Sequence, residues 1–269
     1  MNPPVYQLTT PIVRSVPLLI SVPHCGVIFP DSIKGQYKSE LIDAPDDTDW
    51  FVDELYNFAP ELGATMIAAN YSRWVVDLNR DPQSKPLYTD GRIITALCPA
   101  TDFLGNSLYK DERKEVSADD VEQRVEAYYK PYHNEIARQL KLLKSKFGKV
   151  LLWDCHSIRQ IVRTIQKDKF PDLILGDADE TSALADLIDI ALRNLKSSTY
   201  SVNHNHPFKG GYITRHYGKP KSNQHALQLE MSKVNYMDDS EKKFDKTRAD
   251  RMREVLKRTL SELVERLVK

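Results

Sequence analysis

Two histidines follow short apolar runs of strand character. Leu18–Val22 leads into Pro23-His24-Cys25-Gly26, and Val150–Trp153 leads into Asp154-Cys155-His156-Ser157. Two imidazoles and a carboxylate around an open coordination position suit a hydrolytic zinc ion, which lowers the pKa of water to about 7. Neither histidine has a partner at HxxH or HExxH spacing, so the fold must bring them together. A His-x-x-acid pair starting at His24 would need an acid at position 27, which is Val27. The third ligand is therefore sought in Asp46-Asp47-Thr48-Asp49, with Asp47 as first choice and Asp49 as second. The same cluster also reads as a helix N-cap with first-turn carboxylates favoured by the helix dipole.

Other polar groups fall at comparable strand ends. Trp74–Leu78 runs into Asn79-Arg80-Asp81-Pro82, and His225–Leu229 runs into Glu230. A carboxylate closing an apolar strand must be paired, hydrated or functional. Beside a metal site, Glu230 would act as a general base; otherwise it forms an ion pair with an arginine. Arg73, Arg80, Arg159, Arg163 and Arg215 crowd these segments, and in a chain of zero net charge that local excess favours a small carboxylate-bearing substrate. Cys25 and Cys155 each adjoin a histidine, but neighbours on extended chain point to opposite faces, so they make poor nucleophile–base dyads. His204 and His206 read as polar groups of an Asn-rich turn, and His133 as a helix-surface residue. There is no G-x-S-x-G elbow, P-loop or dinucleotide-binding glycine fingerprint.

Strands are expected at Leu18–Val22, Thr65–Ala69, Trp74–Leu78, Val150–Asp154, Leu173–Leu175 and Ala226–Leu229. Helices are expected over Asp49–Phe58, from a Ser117 cap through Leu143 with a break at Pro131, and over Thr181–Leu195 and Lys243–Val268. Strands alternating with helices predict an α/β sheet covered on both faces, whose C-terminal strand ends form the ligand rim. Pro82–Arg113 is rich in turn residues and reads as a long excursion near one edge of the sheet, of the kind that tends to be functional or mobile. The chain reads as a single domain over residues 1–269.

Composition narrows the function classes. In 269 residues, 38 Lys and Arg balance 38 Asp and Glu, with no long basic block to bind nucleic acid. No apolar run is long enough to span a bilayer. Three cysteines without CxxC spacing argue against a disulfide framework and for a reducing, cytoplasmic setting.

Seven motifs in fixed order, SVPHCGVIFP, DDTDWFVDELY, SRWVVDLNRDP, YYKPYHNEI, LLWDCHS, NHPFKGGYITRHYGKP and HALQLEMSKVNYMD, resemble the N-formylglutamate amidohydrolases over residues 18 to 238. The resemblance implies a three-layer α/β/α fold with a mostly parallel central sheet, phosphorylase/hydrolase-like and related to the zinc carboxypeptidases. It implies hydrolysis of N-formyl-L-glutamate to formate and L-glutamate in histidine degradation. Under that scheme His24, His156 and an acid of the DDTD segment hold Zn2+, Glu230 is the general base, and Asn79 and Arg80 clamp a substrate carboxylate. Arg73 or Arg215 would assist them, and Gly210-Gly211 would let backbone approach the substrate closely. The alternatives are another N-acyl amino acid deacylase or carboxypeptidase-like hydrolase on the same site, or a metal-free ligand-binding protein on the same scaffold.

Overall fold

The computed structural model describes residues 3–83, 96–113 and 115–269. Seven strands, β1 (Tyr6–Thr9), β2 (Leu18–Val22), β3 (Thr65–Ala69), β4 (Val150–Ile158), β5 (Leu173–Gly176), β6 (Val202–His204) and β7 (Gln224–Ser232), form one sheet in the order β1-β3-β2-β4-β7-β5-β6. Strands β3, β2, β4 and β7 pair in parallel, β1 runs against β3, and β5 and β6 run against β7. The sheet is thus mixed. The parallel arrangement expected from the sequence holds for its central block, while its flanks are reversed.

Helices α1 (Asp31–Lys34), α2 (Ser39–Ile42), α3 (Val52–Leu55), α4 (Ala59–Leu62), α5 (Ala118–Arg124), α6 (Lys130–Phe147), α7 (Ala185–Lys196), α8 (Tyr212–Tyr217) and α9 (Lys246–Val268) surround the sheet. The burial of alternate strand residues makes two cores. On one face Trp153, Cys155, Leu227 and Leu229 meet α3, α4, α7 and α9; on the other Leu19, Leu152 and Ala226 meet α6 and α8. Both faces are therefore covered, as the near-continuous apolar strands require. No helix among the described residues is long and apolar enough to cross a membrane.

Several elements differ from expectation. Trp74–Leu78 is fully buried but forms turns rather than a strand, with its burial supplied by the segment 96–113 and by α6. The expected Asp49–Phe58 helix shrinks to α3, because Phe51 takes a left-handed φ of 62°. Ser117 caps α5 by accepting the Asp120 N–H, as its spacing predicts. Pro131 does not kink a continuous α-helix; a π turn over Val125–Tyr129 precedes it, and Pro131 sits in the first turn of α6, where its missing N–H is tolerated. Strands β4 and β7 run longer than their apolar cores, so His156 and Glu230 lie within strands.

Candidate metal centre

Parallel pairing sets β4 and β7 in register, with Asp154 opposite Gln228 and His156 opposite Glu230. Residues two apart on a strand share a face, so all four side chains point to the α6 side. Immediately after β2 the chain turns at Pro23 and delivers His24 to the same place. His156 Nδ1 lies 3.2 Å from His24 Nδ1 and 3.2 Å from Asp49 Oδ2, and His24 Nδ1 lies 3.6 Å from Asp49 Oδ2. All three residues are buried.

Each imidazole is backed on its far side by a carboxylate. His24 Nε2 is 2.8 Å from Asp77 Oδ1, and His156 Nε2 is 2.9 Å from Asp154 Oδ2. A proton on each Nε2, donated to its carboxylate, leaves the two Nδ1 lone pairs facing one another and the Asp49 oxygen. That cluster of three acceptors is the arrangement that a shared cation relieves. Tetrahedral ligands at about 2.0–2.2 Å from zinc sit roughly 3.4 Å apart, which matches the observed spacing. Among the described residues Asp49 Oδ1 and Asp154 Oδ1 are buried without a hydrogen-bond partner. The donor set fits a metal ion, and His24, Asp49 and His156 could hold one.

The electrostatics agree with that geometry. Burial works to raise the Asp49 carboxyl, but hydrogen bonds and charge from His156 and His24 outweigh it and hold the pKa well below the usual range. For His156 burial favours the neutral ring, and Asp154 and Asp49 reverse that to push its pKa well up. Burial also opposes ionisation of Asp77, yet Arg73, Arg80 and His24 keep it ionised. Burial pushes Glu230 up to about 8, His156 and Arg73 pulling against it and Asp49 and Asp154 adding to it. A divalent cation at the neighbouring rings would draw the Glu230 carboxyl back down.

Asp49, the second choice from the sequence, is the carboxylate beside the rings. Asp47 is turned away, accepting Trp74 Nε1 at 2.8 Å and the Phe103 N–H at 3.1 Å, and burial raises its pKa to about 6. Asn79 does not face open space. Its Nδ2 lies 3.0 Å from His156 Nε2 and 3.4 Å from Gln228 Oε1, while its Oδ1 accepts the Ile213 N–H at 2.8 Å. Gly211 makes its close approach to this amide, since a Cβ there would lie 2.2 Å from Asn79 Nδ2. Gly210, at φ +104°, turns the chain onto Thr214. Arg73 is buried, giving 2.7 Å to Asp77 Oδ2 and stacking on Phe103. Arg80 is half-buried beside the Asn79 carbonyl and Asp77, and Arg215 is exposed with Nε on the Gly210 carbonyl.

Cys25 and Cys155 pack into the opposite core, where burial raises both thiols well above their usual range. His204 ends β6 and lies 2.6 Å from Asp177, away from the centre; His206 is exposed. His133 is buried on α6, not on the surface. Its Nε2 is 2.8 Å from the Leu78 carbonyl and its Nδ1 3.0 Å from the Tyr217 hydroxyl, while stacked Tyr129 donates to the Arg80 carbonyl at 2.8 Å. These two side chains hold the backbone on either side of Asn79. The long excursion expected over 82–113 falls partly on residues 84–95, outside the described residues; the segment 96–113 packs into the core through Leu97, Cys98, Leu108 and Tyr109. Asp77, Asp154, Tyr129 and Lys233 were not singled out in the sequence. Asp154 was legible in principle, being two residues before His156 on one strand.

Fold and site together define an α/β protein with a hydrolase-like centre. The family model of N-formylglutamate amidohydrolase matches residues 16–237, and the chain belongs to that family. It is 41% identical over 228 residues to the N-formylglutamate deformylase of Pseudomonas putida, covering 84% of each chain. It is 42% identical over 227 residues to that of Pseudomonas aeruginosa, covering 83% of each. The solved N-formylglutamate amidohydrolase of Ralstonia eutropha JMP134 superposes with a TM-score of 0.80 at 28% identity, covering 97% of this chain and 98% of that one. A gene product of Agrobacterium tumefaciens, 16% identical, shares the fold with a TM-score of 0.72 over 96% of each chain.

Proposed function

We infer that the chain is a zinc-dependent amidohydrolase that cleaves the formamide bond of N-formyl-L-glutamate, releasing formate and L-glutamate. The observation that carries this reading is the triangle of His24 Nδ1, His156 Nδ1 and Asp49 Oδ2 with Glu230 beside it in register. When bound there, zinc supplies Lewis acidity towards the formyl oxygen and makes water acidic enough to be deprotonated near neutral pH. Glu230 takes the proton from the attacking water as the C–O bond forms. It then passes that proton to the glutamate nitrogen as the C–N bond breaks. Asp77 and Asp154 fix the tautomers of His24 and His156, and Arg73 anchors Asp77.

Asn79 donates through Nδ2 to Asp154 and Gln228 and accepts the Ile213 N–H, so its role is to hold Asp154 behind the His156 ring, and the substrate α-carboxylate falls to Arg80 assisted by Arg215. The relationship to zinc carboxypeptidases implied by the motifs is mechanistic in this reading: one metal, one glutamate base, and arginine on the carboxylate. The three free cysteines suit a cytoplasmic enzyme. The test is formate release by metal-depleted and zinc-restored protein from formyl-, acetyl- and succinyl-glutamate. Zinc-restored turnover greatest on the formyl compound is expected. A preference for a larger acyl group would make the chain another N-acyl amino acid deacylase, and inactivity despite bound zinc would leave a ligand-binding scaffold.

A further inference from the structure

Trp74–Leu78 is buried in turns rather than in a strand, so its carbonyls cannot rely on a ladder for their hydrogen bonds. Side chains supply several of them. The Tyr37 hydroxyl donates to the Trp74 carbonyl at 3.0 Å and Arg124 Nη1 to that of Val75 at 3.3 Å. His133 Nε2 donates to the Leu78 carbonyl at 2.8 Å, and the Tyr129 hydroxyl to that of Arg80 at 2.8 Å. Arg124 Nη1 is itself held by the hydroxyls of Tyr37 at 3.1 Å and Tyr109 at 2.9 Å. The cradled stretch carries Asp77, which backs His24, and ends in Asn79 and Arg80.

Three of these donors, Arg124, Tyr129 and His133, stand on one continuous helical stretch on either side of the π turn. In an unbroken α-helix, at about 100° per residue, Arg124 would point about 140° away from Tyr129 and about 180° away from His133. It would miss the segment that the other two hold. The π turn closes on a bond from the Lys130 N–H to the Val125 carbonyl, five residues back, and so takes up one residue more than an α turn. Removing about 100° in this way brings all three side chains within about 80° of one another. Pro131 lets the helix widen here at little cost, because it has no N–H to give the Ala127 carbonyl.

We propose that this π turn is a register device for the active site: its extra residue aligns Arg124, Tyr129 and His133 as positioning residues that set where the Trp74–Arg80 segment holds Asp77 against His24 and Arg80 towards the substrate. The proposal rests on the reading of Asp77 as a partner of the metal site and of Arg80 as the group for the substrate α-carboxylate, and adds what keeps the two at their spacing.

Two single variants read the two ends of the segment. Tyr129→Phe keeps the ring stacked on His133 and removes only the hydroxyl at the Arg80 carbonyl. KM for N-formyl-L-glutamate should rise roughly fivefold, with kcat and zinc affinity within about twofold of wild type. A mere loss of folded protein would lower kcat and leave KM unchanged. Arg124→Met releases the Val75 carbonyl, two residues before Asp77, so zinc affinity measured by chelator competition should fall about fivefold, and Arg124→Lys should recover part of it. Deleting Ala127 removes the extra residue and swings Arg124 off the segment; in that background Arg124→Met should cost no further zinc affinity. Should the deletion variant not fold, the point variants still decide. An unchanged KM in Tyr129→Phe, an unchanged zinc affinity in Arg124→Met, or a full Arg124→Met loss in the deletion background would each overturn the proposal. A wild type that binds zinc but releases no formate would instead overturn the function reading, and the zinc-affinity arm would still test Arg124.

Discussion

Two buried histidine sites lie on the same face of the sheet and are built for opposite charge states. At the centre, His24 and His156 face one another, and each is backed by a carboxylate. At the other, His133 is stacked on Tyr129 and bonded to a carbonyl and a phenol, with burial lowering its pKa to about 4. Burial alone drives an imidazole neutral; surrounding carboxylates decide whether a positive charge is wanted as well. The first site therefore has the negative potential to hold a cation, while the second is an uncharged strut that locks the backbone around Asn79.

The sharpest way to break that contrast is to remove the carboxylate that only the first site has. Asp49→Ala should lose stoichiometric zinc and lower kcat/KM by more than about 10,000-fold, whereas Asp47→Asn should retain zinc. Metal analysis together with the formate assay would decide it; a zinc-replete Asp49→Ala protein would remove Asp49 from the ligand set. Next in size is the base. Glu230→Gln should cut kcat by roughly 100- to 1,000-fold with KM and zinc content little changed. Near-normal turnover in that variant would send the proton to another group.

The carboxylates behind the rings carry a smaller effect. Asp77→Asn and Asp154→Asn each keep the shape but weaken the hold on the Nε2 proton, so zinc affinity should fall by roughly 10- to 100-fold. Competition against a chelator measures this, and unchanged affinity would mean that the carboxylates serve only packing.

These contrasts also show what the sequence could disclose. Short, nearly continuous apolar runs placed β2, β3, β4 and β7, and the polar residues at their ends marked His24, His156 and Glu230. Asp47 and Asp49 were not separable, because both sit in an acidic stretch whose local φ, ψ path is set by tertiary contacts with Trp74 and Phe103. Trp74–Leu78 has the composition of a buried strand, yet it is a buried turn segment; periodicity reports burial, not which backbone partner satisfies it. The direction of β5 depends on how residues 159–172 cross the rim, which no local pattern encodes. His133 was within reach: Tyr129, Tyr132, Ile136 and Leu140 recur at three- and four-residue spacing around it, which places it on the core face of α6.

His133 also gives the comparison a pH signature. Its folded-state pKa of about 4 lies below the ordinary 6.5, so the unfolded chain binds the extra proton first. Stability from this group is complete above pH 6.5, is lost as pH falls from 6.5 towards 4, and changes no further below that. The loss at pH 4 is up to roughly 3 kcal/mol. His133→Gln keeps a donor and an acceptor without the titration, so urea unfolding from pH 7 to pH 4 should show a shallower decline than wild type. Identical slopes would mean that the ring is already charged when folded. Because His133 lies outside the His24–Asp49–His156 cluster, metal content of this variant should be unchanged.

The smallest effect is expected on the opposite side of β4, one residue from the centre. Cys155 shares its backbone with His156 but points into the other core, and Cys25 likewise leaves the site for the carbonyls of Val22 and Ala69. Burial keeps both thiols protonated, so neither can serve as a nucleophile at neutral pH. Cys25→Ala and Cys155→Ala should leave kcat within about twofold, while Cys155→Ala lowers stability by roughly 1 kcal/mol through the small void it leaves. A large loss of kcat with zinc still bound would instead place a thiol in the reaction. The alternation of the strand makes that outcome hard to reach, because bringing Cys155 to the site would move His156 away from Asp49 by the same rotation.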